Sequence, residues 1–254
     1  MIRRSILVLL ALGTATTAEA QTLTGAARWA DSARRAIEPA YLAGDTTALA
    51  EVRVLLERAL TTYPNDALLL HYQGYVDYRD LSLRMGRWRQ DVGQLLDEAE
   101  RSLEASSEAK AMPETFALLS SVIGQKIGSN PLRGMTLGPR SSRLMERALE
   151  AGPNNPRVWL LRGIGAKFTP KMFGGGAERA EEYLERAAAL FENDAPPPPL
   201  PAWGKGEVWA WLGQVYAEDG RGQEARTAYM KALQLEPDNG WVRDVLLPGL
   251  DRKQ

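Results

Sequence analysis

The 254-residue sequence has no cysteine and only one histidine, His71. The lack of cysteine excludes disulfides, thiol catalysis and Cys/His zinc sites, and a single histidine excludes any multi-histidine metal site. An excess of one charge is also missing, because 31 Lys and Arg residues face 32 Asp and Glu residues, a formal net charge of −1. The chain as a whole therefore has no bulk electrostatic reason to bind nucleic acid or anionic lipid.

The common catalytic motifs are absent as well. The sequence contains no HExxH, no GxSxG and no phosphate-binding loop that ends in Gly-Lys-Ser/Thr. Carboxylates are plentiful, but runs such as residues 178–185 are typical of a solvated helix face. We predict that the protein is not an enzyme and has no catalytic residue, no cofactor and no metal site.

Residues 1–20 have the pattern of a secretory signal peptide. Arg3 and Arg4 precede a short apolar run at 6–12, and residues 18–20 (Ala-Glu-Ala) form a small-x-small cleavage site. The run is too short for a transmembrane anchor, and no cysteine follows for lipid attachment. We predict a Sec-type signal cleaved after Ala20 and a periplasmic product without stable membrane insertion. Arg3-Arg4 leaves a twin-arginine signal as the alternative.

A helical repeat is clearest between residues 208 and 239. Eight residues fall at offsets 0, 3, 4, 7, 16, 20, 23 and 28: Trp209, Leu212, Gly213, Tyr216, Ala225, Tyr229, Ala232 and Pro237. The first four share one face of a first helix, and the small residues allow the second helix to approach closely. This pattern resembles the tetratricopeptide repeat at every signature position.

Weaker copies precede this unit, anchored by Ala59, Ala148 and Ala187. Proline follows five residues after the alanine in two of them, as it does after Ala232. The pattern predicts an all-α fold, a right-handed solenoid of five stacked helix pairs, with a signal peptide at 1–20 and the repeat domain at 21–254. The predicted units are residues 24–66, 67–110, 113–155, 156–192 and 203–239, followed by a cap at 240–250. Loops are expected at 130–139, 168–176 and 193–201, and a break at 85–87.

The resemblance implies that a partner binds on the concave surface, which the first helix of each pair lines. Residues at the groove positions of that register are His71, Tyr75, Tyr78, Arg79, Gln125, Arg157, Lys167, Phe168 and Gln214. Aromatic residues and arginine dominate binding hot spots, so the second unit is the best candidate contact. The alternative is that Tyr75 and Tyr78 pack against the neighbouring unit. The cations favour an acidic segment or a C-terminal carboxylate as the partner.

Three further segments have two interpretations each. The glycines at 174–176 precede a predicted helix and could hold an anion, but a turn that lets Met172 and Phe173 pack back onto the repeat is favoured. Residues 196–199 are a stiff proline spacer or a polyproline ligand. The arginines between 79 and 89 form a solvated loop or a nucleic-acid contact, and the net charge favours the former.

The sequence thus predicts an exported, non-catalytic scaffold that binds a protein or peptide on a tetratricopeptide superhelix. The alternative is a periplasmic small-ligand-binding component associated with a membrane transporter. A scaffold requires a continuous open groove, whereas a small-ligand binder requires a closed pocket, expected near 168–176. An enzyme would require a buried acid or base within hydrogen-bond reach of His71.

Overall fold

The computed structural model describes residue 23, residues 25–87 and residues 92–252, and in these ranges all regular secondary structure is helical. The signal-peptide prediction for residues 1–20 lies outside the described residues. The helices are α1 (Ala26–Ala43), α2 (Thr46–Thr62), α3 (Ala67–Arg87), α4 (Gly93–Ala109), α5 (Pro113–Ser129), α6 (Gly134–Ala151), α7 (Pro156–Phe168), α8 (Ala177–Phe191), α9 (Glu207–Glu218), α10 (Gly222–Leu235) and α11 (Leu247–Asp251). Consecutive helices from α1 to α10 pack as five pairs. The predicted all-α helical repeat is confirmed.

Short polar residues and prolines start several of these helices. The Asp45 carboxylate accepts hydrogen bonds from the first-turn amides of α2, and Asp66 does the same at α3. Asn155 caps α7 through the amide of Arg157. Such caps satisfy backbone donors that have no partner inside the helix. Each cap thereby fixes where a new helix of the stack begins.

Small residues form the seam within the pairs. A Cβ atom on Gly74 would lie 2.5 Å from Leu103, and one on Gly163 would lie 2.7 Å from Leu184. Gly213 is equally close to Tyr229 in the fifth pair. The anchoring alanines are fully or almost fully buried: Ala59, Ala148, Ala187 and Ala232. The close helix approach that the repeat pattern predicts is therefore present in pairs two, four and five.

Two predicted interruptions are helical instead. Helix α6 begins at Gly134, so the second half of the expected 130–139 loop belongs to it, and Pro139 lies inside the helix. Leu137 packs against the core there, and such packing overrides local propensity. Helix α3 continues through residues 85–87, because one glycine costs only about 1 kcal/mol in a helix.

The C-terminal part of the chain returns to the N-terminal part. Glu207, at the start of α9, pairs with Arg79 of α3, 128 residues earlier. Gly240 approaches the Leu42 carbonyl, so that a Cβ atom there would lie 3.4 Å from it. The five pairs therefore curve until the last one faces the first two. Among the described residues, no helix is both long and apolar enough to cross a membrane.

Candidate functional site on the concave face

The inner face of α3 carries the four residues expected to dominate partner binding. His71, Tyr75, Tyr78 and Arg79 are all buried, with at most 5% of each residue exposed. Residues 192–206 of the same chain lie against this face, where the Trp203 ring stacks on Tyr75 and lies 5.4 Å from the Arg79 guanidinium. The expectation of an open groove at the second unit is therefore wrong. The prediction that Arg79 belongs to a solvated loop is also wrong, because Arg79 lies in the interior.

Residues 192–206, which we call the strap, connect α8 to α9 across the concave face. The Asp194 carboxylate accepts two hydrogen bonds from Arg157 of α7, at 2.5 and 3.2 Å. The Tyr72 hydroxyl donates to the Pro199 carbonyl at 2.7 Å, and the Trp203 ring stacks on Tyr75 with 4.9 Å between centroids. The proline run is thus tied to α3 through the Pro199 carbonyl, although Pro197 and Pro198 themselves are exposed.

Arg79 ties this region together electrostatically. Its guanidinium donates to Glu207 at 2.7 and 3.0 Å and to Glu38 at 3.0 and 3.2 Å. The ring of Tyr41 lies 4.1 Å below it. Burial lowers the pKa of Arg79, but the carboxylates of Glu207 and Glu38 more than offset this effect and raise the pKa above its usual range. The cation therefore serves an internal network from α1, α3 and α9.

His71 is fully buried beside a threonine hydroxyl. Its Nδ1 atom lies 2.9 Å from the Thr115 hydroxyl, and its Nε2 atom is buried without a hydrogen-bond partner among the described residues. Burial, reinforced by the nearby positive charge of Arg157, lowers the pKa of His71 to about 3. The imidazole is therefore neutral at physiological pH. Within the described ranges no carboxylate hydrogen-bonds to it.

The other predicted groove residues have different environments. Arg157 is buried and paired with Asp194, and Gln125 is half-buried. Lys167 pairs with Glu218 at 2.6 Å, across from α7 to α9. Gln214 is half-buried and Phe168 is 69% exposed. Among these five residues Phe168 is therefore the most accessible, and Gln125, Lys167 and Gln214 are half-buried.

An aromatic row begins at Phe168. Phe168 meets Trp211 edge-on at 5.9 Å, and Trp211 meets Trp241 at 5.1 Å. Trp211 lies four residues after Glu207 on α9, so the two share a face, and Glu207 reaches inward to Arg79. This face is therefore the inner one. We name the Phe168, Trp211 and Trp241 side chains the aromatic row.

Sequence reasoning missed the two tryptophans of this row, and it also missed Glu38, Glu207 and Trp203. Trp211 lies one helical turn after Glu207 and falls outside the groove positions of the repeat register. Trp241 follows the last repeat in the predicted cap. The available signal was the concentration of four tryptophans between residues 203 and 241. Partners for each could not be assigned from helical spacing alone.

The glycine-rich connection at 169–176 is compact and points outward. Residues 171–173 form one turn of 3-10 helix, and the Gly176 amide donates to the Ala166 carbonyl at 2.8 Å. Gly174 has φ +85°, a left-handed turn that favours glycine. Met172 and Phe173 are exposed, so the expectation that they pack back onto the repeat is wrong. The tight turn directs them away from the helices instead.

Comparison with known proteins supports the repeat assignment. The family model described as a tetratricopeptide repeat matches residues 206–239. A search of curated proteins found no match. No group of three or more acidic or histidine residues that could hold a metal ion occurs in the described part of the chain.

Two solved structures are similar in fold. The HusA haemophore from Porphyromonas gingivalis has a TM-score of 0.60 at 24% identity, covering 76% of this chain and 92% of the haemophore chain. A thermophilic tetratricopeptide repeat protein of Thermus thermophilus has a TM-score of 0.59 at 21% identity, covering 84% of this chain and 95% of its own. At these identities the similarity establishes the helical-repeat fold.

Proposed function

We propose that this tetratricopeptide repeat protein is an exported, non-catalytic binding protein that holds an extended peptide of a partner on the aromatic row. The observation that carries the proposal is the placement of Phe168, Trp211 and Trp241 in contact along the inner face, with Phe168 69% exposed and both tryptophans half-buried. Tryptophan is among the residues that most often dominate protein interfaces. The row therefore offers a peptide apolar contact area on a rigid helical support.

The strap supports this view of the partner. It is an extended proline-containing segment that already lies on concave helices, held by a tyrosine–carbonyl hydrogen bond and by ring stacking. A partner segment with proline or apolar side chains would use the same kinds of contact on the aromatic row. The preference for an acidic partner, expected from the cations, is not retained. Arg79, Arg157 and Lys167 all have carboxylate partners within the chain.

Peptide selection on the protein starting at Gln21 tests this proposal. Peptides selected from a random displayed library are expected to bind at least about thirtyfold more weakly to the Trp211→Ala variant, the loss expected for a hot-spot residue. Trp29→Ala is the matched control, because Trp29 lies on α1 far along the chain from the row and is 39% exposed. Selected peptides that bind both variants equally well would overturn the proposal.

Export needs its own test. We expect the mature N-terminus at Gln21 in a periplasmic extract, by N-terminal sequencing of the protein expressed from its full sequence. Ala20→Arg should block cleavage and leave the precursor in the membrane fraction, because the small residue at the cleavage site is lost. An uncleaved, intracellular wild-type protein would contradict export while leaving the peptide site open.

The alternative, a small-ligand carrier that serves a membrane transporter, predicts a different result. One structure of similar fold is a haemophore, but that similarity extends to the fold alone. Native mass spectrometry of the protein purified from its own host would reveal a co-purifying small molecule. Such a molecule, displaced by none of the selected peptides, would favour the carrier over the peptide-binding protein.

A further inference from the structure

Two neighbouring connections of the solenoid lie at the same edge. Helices α5 and α7 are the first helices of adjacent pairs, and they contact each other. Each reverses into the second helix of its pair, so both point their C-terminal ends the same way. The connections that follow them, residues 130–133 and 169–176, therefore lie at the same edge of the stack. We call residues 130–135, which include the first two residues of α6, and residues 169–176 the loop edge.

The loop edge holds the four most exposed large apolar side chains of the described residues. Leu132 is 86% exposed, Met135 is 90%, Met172 is 82% and Phe173 is 72%. Every other exposed large apolar residue there is less exposed than these four. A single exposed apolar residue needs no explanation, but a cluster on one edge indicates a binding surface.

These side chains are presented by ordered backbone. Pro131 begins a 3-10 turn that runs into α6, and Asn130 accepts a hydrogen bond from the Leu132 amide. In the second connection a Cβ atom on Gly175 would collide with the Thr169 carbonyl, so the turn is folded tightly on itself. The apolar tips are thus highly exposed side chains on ordered turns.

Every charged residue within the two connections is positive, although acidic residues of neighbouring segments pair with some of the cations around them. Residues 130–140 and 167–176 carry Arg133, Arg140, Lys167 and Lys171 and no acidic residue. Arg140 pairs with Glu100 and Glu104, and Lys167 pairs with Glu218. Arg133 and Lys171 form no salt bridge with any described residue. Asp97 lies close enough to Arg133 that the Arg133 charge adds to the lowering of the Asp97 pKa, which Lys126 chiefly causes. The formal net charge of −1 therefore does not represent this edge.

We infer that the loop edge docks on the surface of a bilayer that contains anionic lipid. Protruding apolar tips flanked by cations fit the boundary between headgroups and acyl chains, where the apolar side chains insert and the cations face lipid phosphates.

Vesicle sedimentation tests the inference. The protein starting at Gln21 is expected to bind vesicles of phosphatidylcholine with about one third phosphatidylglycerol more strongly than pure phosphatidylcholine vesicles. The variant Leu132→Ser/Met172→Ser/Phe173→Ser should lose at least about tenfold in partitioning, because three apolar tips are removed. The matched control Met230→Ser/Val245→Ser changes exposed apolar residues elsewhere and should bind like the wild type.

Site-specific labelling adds a second readout, since the chain has no cysteine of its own. An environment-sensitive dye on Phe173→Cys should shift to shorter wavelength with anionic vesicles, whereas the same dye on Val245→Cys should not. Equal vesicle binding by the edge and control variants would overturn the inference. So would a dye shift caused by a dimer in the absence of lipid, detected by sedimentation velocity.

Discussion

Arg79 shows at the scale of one residue how the interior of the molecule handles charge. Its guanidinium is almost completely buried and faces Glu207, Glu38 and the Tyr75 hydroxyl. The free-energy cost of burying the two carboxylates is offset only while the cation lies between them. Removing it would leave two negative groups in a poorly hydrated place.

We expect Arg79→Met to lower the free energy of unfolding by about 3–5 kcal/mol, since it leaves unpaired buried charges. Urea denaturation followed by circular dichroism measures this change. The triple variant Arg79→Met/Glu38→Gln/Glu207→Gln should recover part of the loss. Arg35→Met serves as the control, because Arg35 is largely exposed in its pair with Asp31 and should change stability by less than about 1 kcal/mol. Equal losses for Arg79→Met and Arg35→Met would contradict the role of the network.

Glu236 adds a pH dependence at the same scale. Burial, with the negative charges of Glu38 and Glu207, raises the pKa of the Glu236 carboxyl to about 7. The folded protein therefore takes up a proton at a higher pH than the unfolded chain, in which this carboxyl has its ordinary pKa of 4.5. The ionised Glu236 carboxylate therefore lowers the free energy of unfolding above pH 7. This destabilisation decreases as the pH falls from 7 and is lost near pH 4.5.

Glu236→Gln should therefore be more stable than the wild type at pH 8, by roughly 1–3 kcal/mol, since each pKa unit corresponds to about 1.4 kcal/mol. The advantage should shrink steadily below pH 7 and vanish near pH 4.5. Comparing the two proteins at each pH separates this effect from that of His71, whose lowered pKa acts in the opposite direction over part of the range. A difference that does not vary with pH would refute the assignment.

At the scale of an element, the second half of the strap packs into the core: residues 201, 203, 204 and 206 are buried, whereas most of residues 192–200 are exposed or half-buried. Trp203 is 3% exposed and stacks on Tyr75. Earlier in the strap, Pro199 accepts a hydrogen bond from Tyr72, and Asp194 pairs with Arg157. The docking of the strap converts a proline-rich connection into a cover for α3.

Trp203→Ala should cost about 3–5 kcal/mol in the free energy of unfolding, because it empties a large buried site. Trp29→Ala, which changes a partly exposed tryptophan, should cost much less. Chemical denaturation of both variants measures the difference. If Trp203→Ala were as mild as Trp29→Ala, the strap would not be docked in solution.

The sequence predicted the elements better than it predicted the strap, for a physical reason. Repeat spacing located Gly213 against Tyr229 and the buried alanines, because those contacts join residues within one pair. The contact of Tyr72 with Pro199 joins positions 127 apart, and no local periodicity encodes it. The same limit hid the aromatic row, since Trp211 and Trp241 acquire their roles only from the curvature of the stack.

At the scale of the whole molecule, contacts between the fifth pair and the first two pairs distinguish this protein from a linear repeat protein. In a linear solenoid each repeat contacts only its neighbours, and its stability is nearly a sum of local contributions. Here α9 and the strap contact α3, and Gly240 approaches the end of α1. Distant pairs therefore share part of their stability.

A chain that ends at Asn193 tests this coupling. We expect amide hydrogen exchange to accelerate in α3, which loses the strap and Glu207, as well as in α8, which loses its neighbour. Mass spectrometry of exchanged peptides would measure both regions. In a linear stack the acceleration would be confined to α7 and α8, and that pattern would contradict the coupling.

The docked strap also has a consequence for how the molecule folds. Helix pairs join residues close in sequence and form early, whereas the bond between Arg79 and Glu207 must close a loop of 128 residues. Loop closure of that length costs about 4 kcal/mol in chain entropy before any contact offsets it. The strap and the last pair should therefore dock late. Until they do, Tyr75 and Arg79 face solvent, so a folding intermediate presents the aromatic and cationic surface that the native protein covers.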